Sequence, residues 1–151
     1  MIKKLTHQNR STSEDIRAVF QISYAVEAEL LQATDFPPLK RPLEAFTNSD
    51  NQFFGYYLKD ELAAVMEIDE KTASVHIQSL VVQPKYFRKG IGRKLVAHAF
   101  EQYQTPLFTV ETGLANEPAT QLYLQMGFSK VLEYDTEHGI RKVRFEKICS
   151  D

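Results

Sequence analysis

The stretch from Val81 to Lys94, VVQPKYFRKGIGRK, limits the possible fold more than any other. It leads from an apolar, strand-like run through a proline and a basic segment to two glycines one residue apart, then into a helix. From the residue between the glycines onward, Ile91, Leu95, Val96, Ala99, Phe100 and Tyr103 recur at helical spacing, with Arg93, Lys94, His98, Glu101 and Gln102 opposite. The apolar runs at 74–82 and 106–112 read as strands on either side of that helix. Together they predict a β-α-β unit with parallel strands and a right-handed crossover. In open sheets, ligands collect beyond the carboxyl ends of such strands, and the glycine turn lies there.

A helix N-terminus presents unpaired N–H groups and a partial positive charge, which suits phosphate oxygens. Gly90 and Gly92 have no Cβ to keep a bulky anion away, and Lys85, Arg88, Lys89, Arg93 and Lys94 crowd the same turn. The turn therefore reads as a pyrophosphate cradle spanning Arg88, Lys89, Gly90, Ile91, Gly92 and Arg93. A turn shaped by glycine and ringed by solvated charge is the plainer alternative. A P-loop is excluded, because no Gly-Lys-Ser/Thr follows the required spacer. The dinucleotide fingerprint lacks its third glycine, where Leu95 stands, although Glu111 lies near the place of a ribose-binding acid.

The rest of the chain completes an alternating pattern. Residues 2–8 read as a strand, and STSEDIRAVFQISYAVEAELLQA as a helix with a capping box of Ser11 and Glu14. DFPPLKRP breaks that helix, and LEAFTNS adds a short second one. Residues 51–82 read as three strands with turns at Lys59-Asp60 and Asp69-Glu70-Lys71. EPATQLYLQMG reads as a helix capped by Asn116 and stopped by Gly127, and the C-terminal run as a hairpin turning near His138-Gly139. The expected fold is α/β (α+β): a mixed, mostly antiparallel sheet of six to seven strands flanked by about four helices. With 151 residues and neither repeat nor linker, residues 1–151 are expected to form one domain.

Several classes fall away on composition. No run approaches the roughly 20 apolar residues of a membrane span, and no signal-peptide core follows the basic N-terminus, so a cytoplasmic setting without membrane partners is expected. A net charge of −2 provides no general attraction to nucleic acid. The lone Cys149 has no internal partner and reads as an inert thiol, and the four histidines are too scattered for a metal site.

Two blocks, SLVVQPKYFRKGIGRKLVAHAF and VETGLANEPATQLYLQMGF, resemble the GNAT superfamily of N-acetyltransferases. Leu80, Val82, Pro84, Gly90 and Gly92 match its strand-and-turn motif. Asn116, Ala119, Tyr123, Gly127 and Phe128 match its second motif at full spacing. One departure is Phe87, at a position the family often fills with Gln or Arg; backbone amides do most of the holding there. The resemblance implies acetyl-CoA as co-substrate, no metal, and direct transfer of the acetyl group to a primary amine within a ternary complex. It further implies that backbone groups at Leu80, Val81 and Val82, exposed where the parallel strands splay after residue 80, bind the acetyl and pantetheine groups. Asn116 is expected to contact the cofactor or that strand.

The same resemblance makes Tyr123 the general acid for the CoA sulfur; packing as a core aromatic is the alternative. Glu111, twelve residues earlier, resembles the glutamate of acetyltransferases that act on protein N-termini and is the leading candidate base. His76, which shares the strand parity of Val82, and Glu67 are the others. The amine acceptor, small molecule or protein, is expected between the loops at 31–50 and 134–140, in a monomer or homodimer. Two rivals stand beside this reading, a CoA-binding module without turnover and a dinucleotide-binding oxidoreductase.

Overall fold

The computed structural model describes residues 1–149. Its seven strands are β1 (Ile2–Lys4), β2 (Gln52–Leu58), β3 (Glu61–Glu70), β4 (Val75–Val82), β5 (Leu107–Gly113), β6 (Ser129–Asp135) and β7 (Arg141–Ile148). The four helices are α1 (Arg10–Leu31), α2 (Leu43–Thr47), α3 (Ile91–Gln102) and α4 (Glu117–Gln125). All strands join one sheet in the order β1-β2-β3-β4-β5-β7-β6. Every neighbouring pair is antiparallel except β4 and β5, the two parallel strands expected around the glycine turn.

Strand alternation sends apolar side chains to both faces, and each face receives two helices. Ile16, Val19 and Phe20 of α1 and Phe46 of α2 pack with Phe53, Val65 and Val81 on one side. Leu95, Val96 and Ala99 of α3 and Tyr123 of α4 pack with Phe54, Met66, Ile77, Val110 and Phe145 on the other. The sheet is thus buried through its middle, while β6 lies at an edge with Val131 and Leu132 exposed.

Local chemistry moves some boundaries from their predicted places. The cap of α1 is Asn9, whose side chain accepts from Thr12 N at 3.2 Å, in place of the Ser11–Glu14 box. DFPPLKRP carries a 3-10 turn at Pro37–Lys40, since proline is tolerated in a first turn. The β2–β3 turn uses Lys59 and Asp60, both left-handed at φ 48° and 67°, as a two-residue hairpin requires. The β3–β4 turn comes later than predicted, because β3 continues through Glu70.

The feature that opens the site is a β-bulge. Glu67 pairs with Ser79 and Ile68 with Ile77, which leaves Gln78 as the extra residue on β4. On its other edge β4 pairs with β5 only through Val75, His76 and Ile77. The strands therefore part after Ile77 and Val110, earlier than the splay expected after residue 80.

Candidate active site

Hydrogen-bond alternation defines what the splay exposes. Gln83 N donates to Ala63 O at 2.8 Å, and Val82 is registered against Ala64. In an antiparallel pair, hydrogen-bonded and non-bonded positions alternate, so the N–H groups of Leu80 and Val82 turn away from β3 and into the gap. Val81 points its side chain into the α1–α2 face and is buried there.

The glycine turn faces the same gap. Gly90 is the N-cap of α3 at φ 74°, so the N–H groups of Ile91, Gly92 and Arg93 begin the helix without intrahelical partners. A Cβ on Gly90 would have no atom within 4 Å, and one on Gly92 would sit 3.3 Å from Leu122 Cδ2, in the seam between α3 and α4. Of the five cations, Arg88 and Arg93 line the cavity over this turn. Lys85 pairs instead with Glu61 at 2.6 Å, and Lys94 lies 5.7 Å from the Tyr56 ring centroid. Lys89 is exposed outside the walls, and Phe87, 45% exposed, forms part of them.

Two cavities meet at the splay. The first, about 500 Å³, runs from Val82 and Leu80 along Gly90, Gly92 and Arg93 to α4. The second, about 460 Å³, lies between α1, the Pro37–Lys40 turn and the β6–β7 turn, with Phe36, His138 and Ile140 on its walls. Leu80, Glu27, Asn116, Ala119 and Tyr123 line both. Tyr123 is 4% exposed and packs on Phe128 and Phe145 with centroids 5.6 and 5.9 Å away. Burial, then the nearby Tyr24 and Glu27, push its hydroxyl well above the ordinary tyrosine value, so it is held protonated. Asn116 caps α4 by accepting from Ala119 N at 3.3 Å.

The three candidate bases separate. Glu111 lines the second cavity, but its carboxylate accepts from Arg144 Nη1 at 3.2 Å and from the Tyr134 hydroxyl. Burial and that carboxylate raise the Tyr134 hydroxyl to about 12, so Tyr134 stays a donor. His76 lines neither cavity. The Gln78 bulge reverses the parity it was expected to share with Val82, and its Nδ1 lies 2.7 Å from Thr109 Oγ1. Burial lowers its pKa. Glu67, fully buried, is saturated: Arg41 donates at 2.8 and 3.0 Å, Asn51 at 2.9 Å and Ser79 at 3.1 Å. It braces the bulge and does not reach a cavity wall.

Sequence reading missed Glu27. Phe20, Tyr24, Glu27 and Leu31 stand at i, i+4, i+7 and i+11 of α1, and all four line the second cavity. A carboxylate in an otherwise apolar stripe was the available signal. Burial raises the Glu27 carboxyl above its usual range, opposed by Asn116, Lys142 and Thr112.

Residues 24–149 match the family model for the acetyltransferase (GNAT) domain. The chain belongs to the GNAT acetyltransferase family. UPF0157 protein YqkA of Bacillus subtilis is 30% identical over 141 residues, covering 93% of this chain and 41% of YqkA, so the chain spans less than half of that relative. The ribosomal protein bS18 alanine N-acetyltransferase of Salmonella typhimurium is 26% identical over 67% of this chain and 79% of its own length. Among solved structures, the PaiA N-acetyltransferase of Thermoplasma acidophilum, in complex with coenzyme A, matches with a TM-score of 0.76. It is 17% identical and covers 99% of this chain and 98% of that one. The matched residues include both the glycine turn and the β4–β5 splay.

Proposed function

We propose that residues 1–151 act as one acetyl-CoA-dependent N-acetyltransferase domain that passes the acetyl group directly to a primary amine. The observation that carries this reading is the meeting of two cavities at the β4–β5 splay, one ending at an uncapped helix N-terminus and the other walled by carboxylates and aromatic rings. The fit to a CoA thioester is chemical. Free N–H groups of Ile91, Gly92 and Arg93, with Arg88 and Arg93 beside them, suit a pyrophosphate. Those of Leu80 and Val82 suit the amide and acetyl carbonyls of an extended arm, the acetyl oxygen gaining most as charge develops on it. Family membership and the coenzyme A held by the Thermoplasma relative support the same assignment.

In this reading Tyr123 protonates the departing thiolate. A tyrosine held neutral by burial can give up its proton only to a base in contact with it, and the sulfur would arrive at the junction that Tyr123 lines. Glu111 faces the acceptor from the floor of the second cavity and favours a cationic amine there. Asn116 touches both ligand spaces while capping α4. The acceptor is a small-molecule amine or a protein amine; the Salmonella relative, named for an alanine of a ribosomal protein, makes an alanine-initiated peptide one natural probe.

The test is release of free thiol from acetyl-CoA in the presence of a panel of amines, alongside calorimetry with coenzyme A. Binding with amine-dependent thiol release supports the reading. Binding without turnover across the panel would favour a CoA-binding module, and no binding would overturn the site.

A further inference from the structure

We propose that Glu27 of α1 is the general base, taking a proton from a cationic primary amine with an apolar or aromatic stem that enters through the second cavity. The inference rests on the acetyl-transfer reading and assigns a residue outside both sequence motifs. Its first support is position: Glu27 lines both cavities and so lies where amine and thioester must meet, whereas Glu111 lines only one. Its second is freedom. Glu111 is held by Arg144 and Tyr134, and Glu67 by Arg41, Asn51 and Ser79. Glu27 is met by Thr112 Oγ1 at 3.4 Å and by Asn116, and among the described residues no Lys or Arg nitrogen stands within 4.0 Å of it.

The cavity around Glu27 explains the amine class. Phe20, Tyr24, Phe36 and Leu31 supply apolar wall, and Glu27 and Glu111 supply carboxylates, with Arg41 and Lys142 elsewhere on the same lining. An ammonium on an apolar stem satisfies both. The titratable groups that share a cavity with Glu27 are Tyr24 on its own helix, Tyr123 on α4, Glu111 on β5, Lys142 on β7, Arg41 and His138 in the second cavity, and Tyr86, Arg88 and Arg93 in the first. Burial outweighs the pull of Lys142 and raises the carboxyl, which makes it a stronger base than an exposed glutamate.

The protons balance. Glu27 removes one proton from the ammonium, and the freed nitrogen lone pair forms the C–N bond at the acetyl carbonyl. The C–S bond breaks with its electron pair on sulfur, and Tyr123 protonates that sulfur. The second nitrogen proton returns through water to the Tyr123 oxygen, and Glu27 releases its own to solvent, for a net yield of one proton per acetyl transferred.

The experiment compares wild type with Glu27→Gln, using tyramine and an alanine-initiated peptide as acceptors from about pH 6 to about pH 9.5. Expected are a loss in kcat/KM of about 100-fold or more and disappearance of the acid-side limb assigned to the carboxyl, with a much smaller change in coenzyme A Kd, because Glu27 borders the first cavity but lies off the phosphate turn. Carboxyl-carbon NMR of the unliganded protein adds a readout independent of turnover: one glutamate resonance should titrate above the others and vanish in E27Q. An unaltered pH profile in E27Q, or a Glu27 resonance titrating with the exposed glutamates, overturns the inference. Wild type that neither binds coenzyme A nor acetylates either probe would instead sink the acetyl-transfer reading, and the resonance would still decide whether Glu27 has a base's proton affinity.

Discussion

Tyr123 and Glu27 line the same junction, where the proposed mechanism gives them opposite tasks. Tyr123→Phe keeps the ring packed edge-on and tilted against Phe128 and Phe145 and removes only the hydroxyl. Turnover should drop about 100-fold or more while calorimetry finds coenzyme A affinity preserved. Glu27→Gln makes a second prediction, about stability. The folded-state pKa of Glu27 lies above its unfolded value, so between the two the native state holds the extra proton and stability falls as pH rises through the folded pKa. Melting curves should therefore show E27Q more stable than wild type at mildly alkaline pH, with the gap narrowing toward pH 4. At this scale the sequence named Tyr123 and Asn116 because a motif with fixed spacing carries them, and Glu111 by its resemblance to a glutamate of acetyltransferases that act on protein N-termini. It could not separate Glu111 from Glu67 or His76, since what distinguishes them is their partners: Arg144 lies 33 positions from Glu111, and Arg41 lies 26 from Glu67. No local pattern encodes such distances.

Among the elements, the glycine turn and the bulged strand do the positioning. Gly90 is left-handed with open space around it, so alanine meets no clash yet still pays for the backbone conformation. Gly90→Ala should cost about 1 kcal/mol and lower Tm by roughly 3 °C. Gly92→Val should act differently, by crowding Leu122 and covering the first-turn N–H groups, and should weaken coenzyme A binding in calorimetry more than it lowers Tm. Arg41, 22% exposed by side chain, ties the approach to α2 to the Glu67 bulge and stacks 4.0 Å over Phe46. Arg41→Met leaves a buried carboxylate unpaired and should cost about 3 kcal/mol in urea unfolding. Most elements were legible from periodicity and turn chemistry, including the parallel pair. The bulge was not, because Gln78 continues the strand pattern of VHIQSLVV and is displaced only by the pairing of Glu67 with Ser79. That single extra residue turned His76 away and opened the splay three residues early.

For the molecule as a whole, the two helical layers hold the sheet closed everywhere except at the β4–β5 parting, so ligand affinity and global stability should be linked there. Coenzyme A at about a hundredfold excess over Kd should stabilise the native state by roughly 2.7 kcal/mol, and NAD should leave Tm unchanged. A rise with NAD and none with coenzyme A would restore the dinucleotide reading that Leu95, in place of a third glycine, argued against. Local order in the chain was enough to determine the strand-turn-helix unit, the mixed sheet with helices on both faces, and family membership through two motifs, because propensity, hydrophobic period and glycine geometry act over a few residues. Tertiary structure alone decided where β4 and β5 separate, which carboxylates are tied up, and that a glutamate from α1 arrives beside Tyr123. Those outcomes depend on burial and pairing between segments up to a hundred residues apart, and a side chain's proton affinity is fixed by what surrounds it in space.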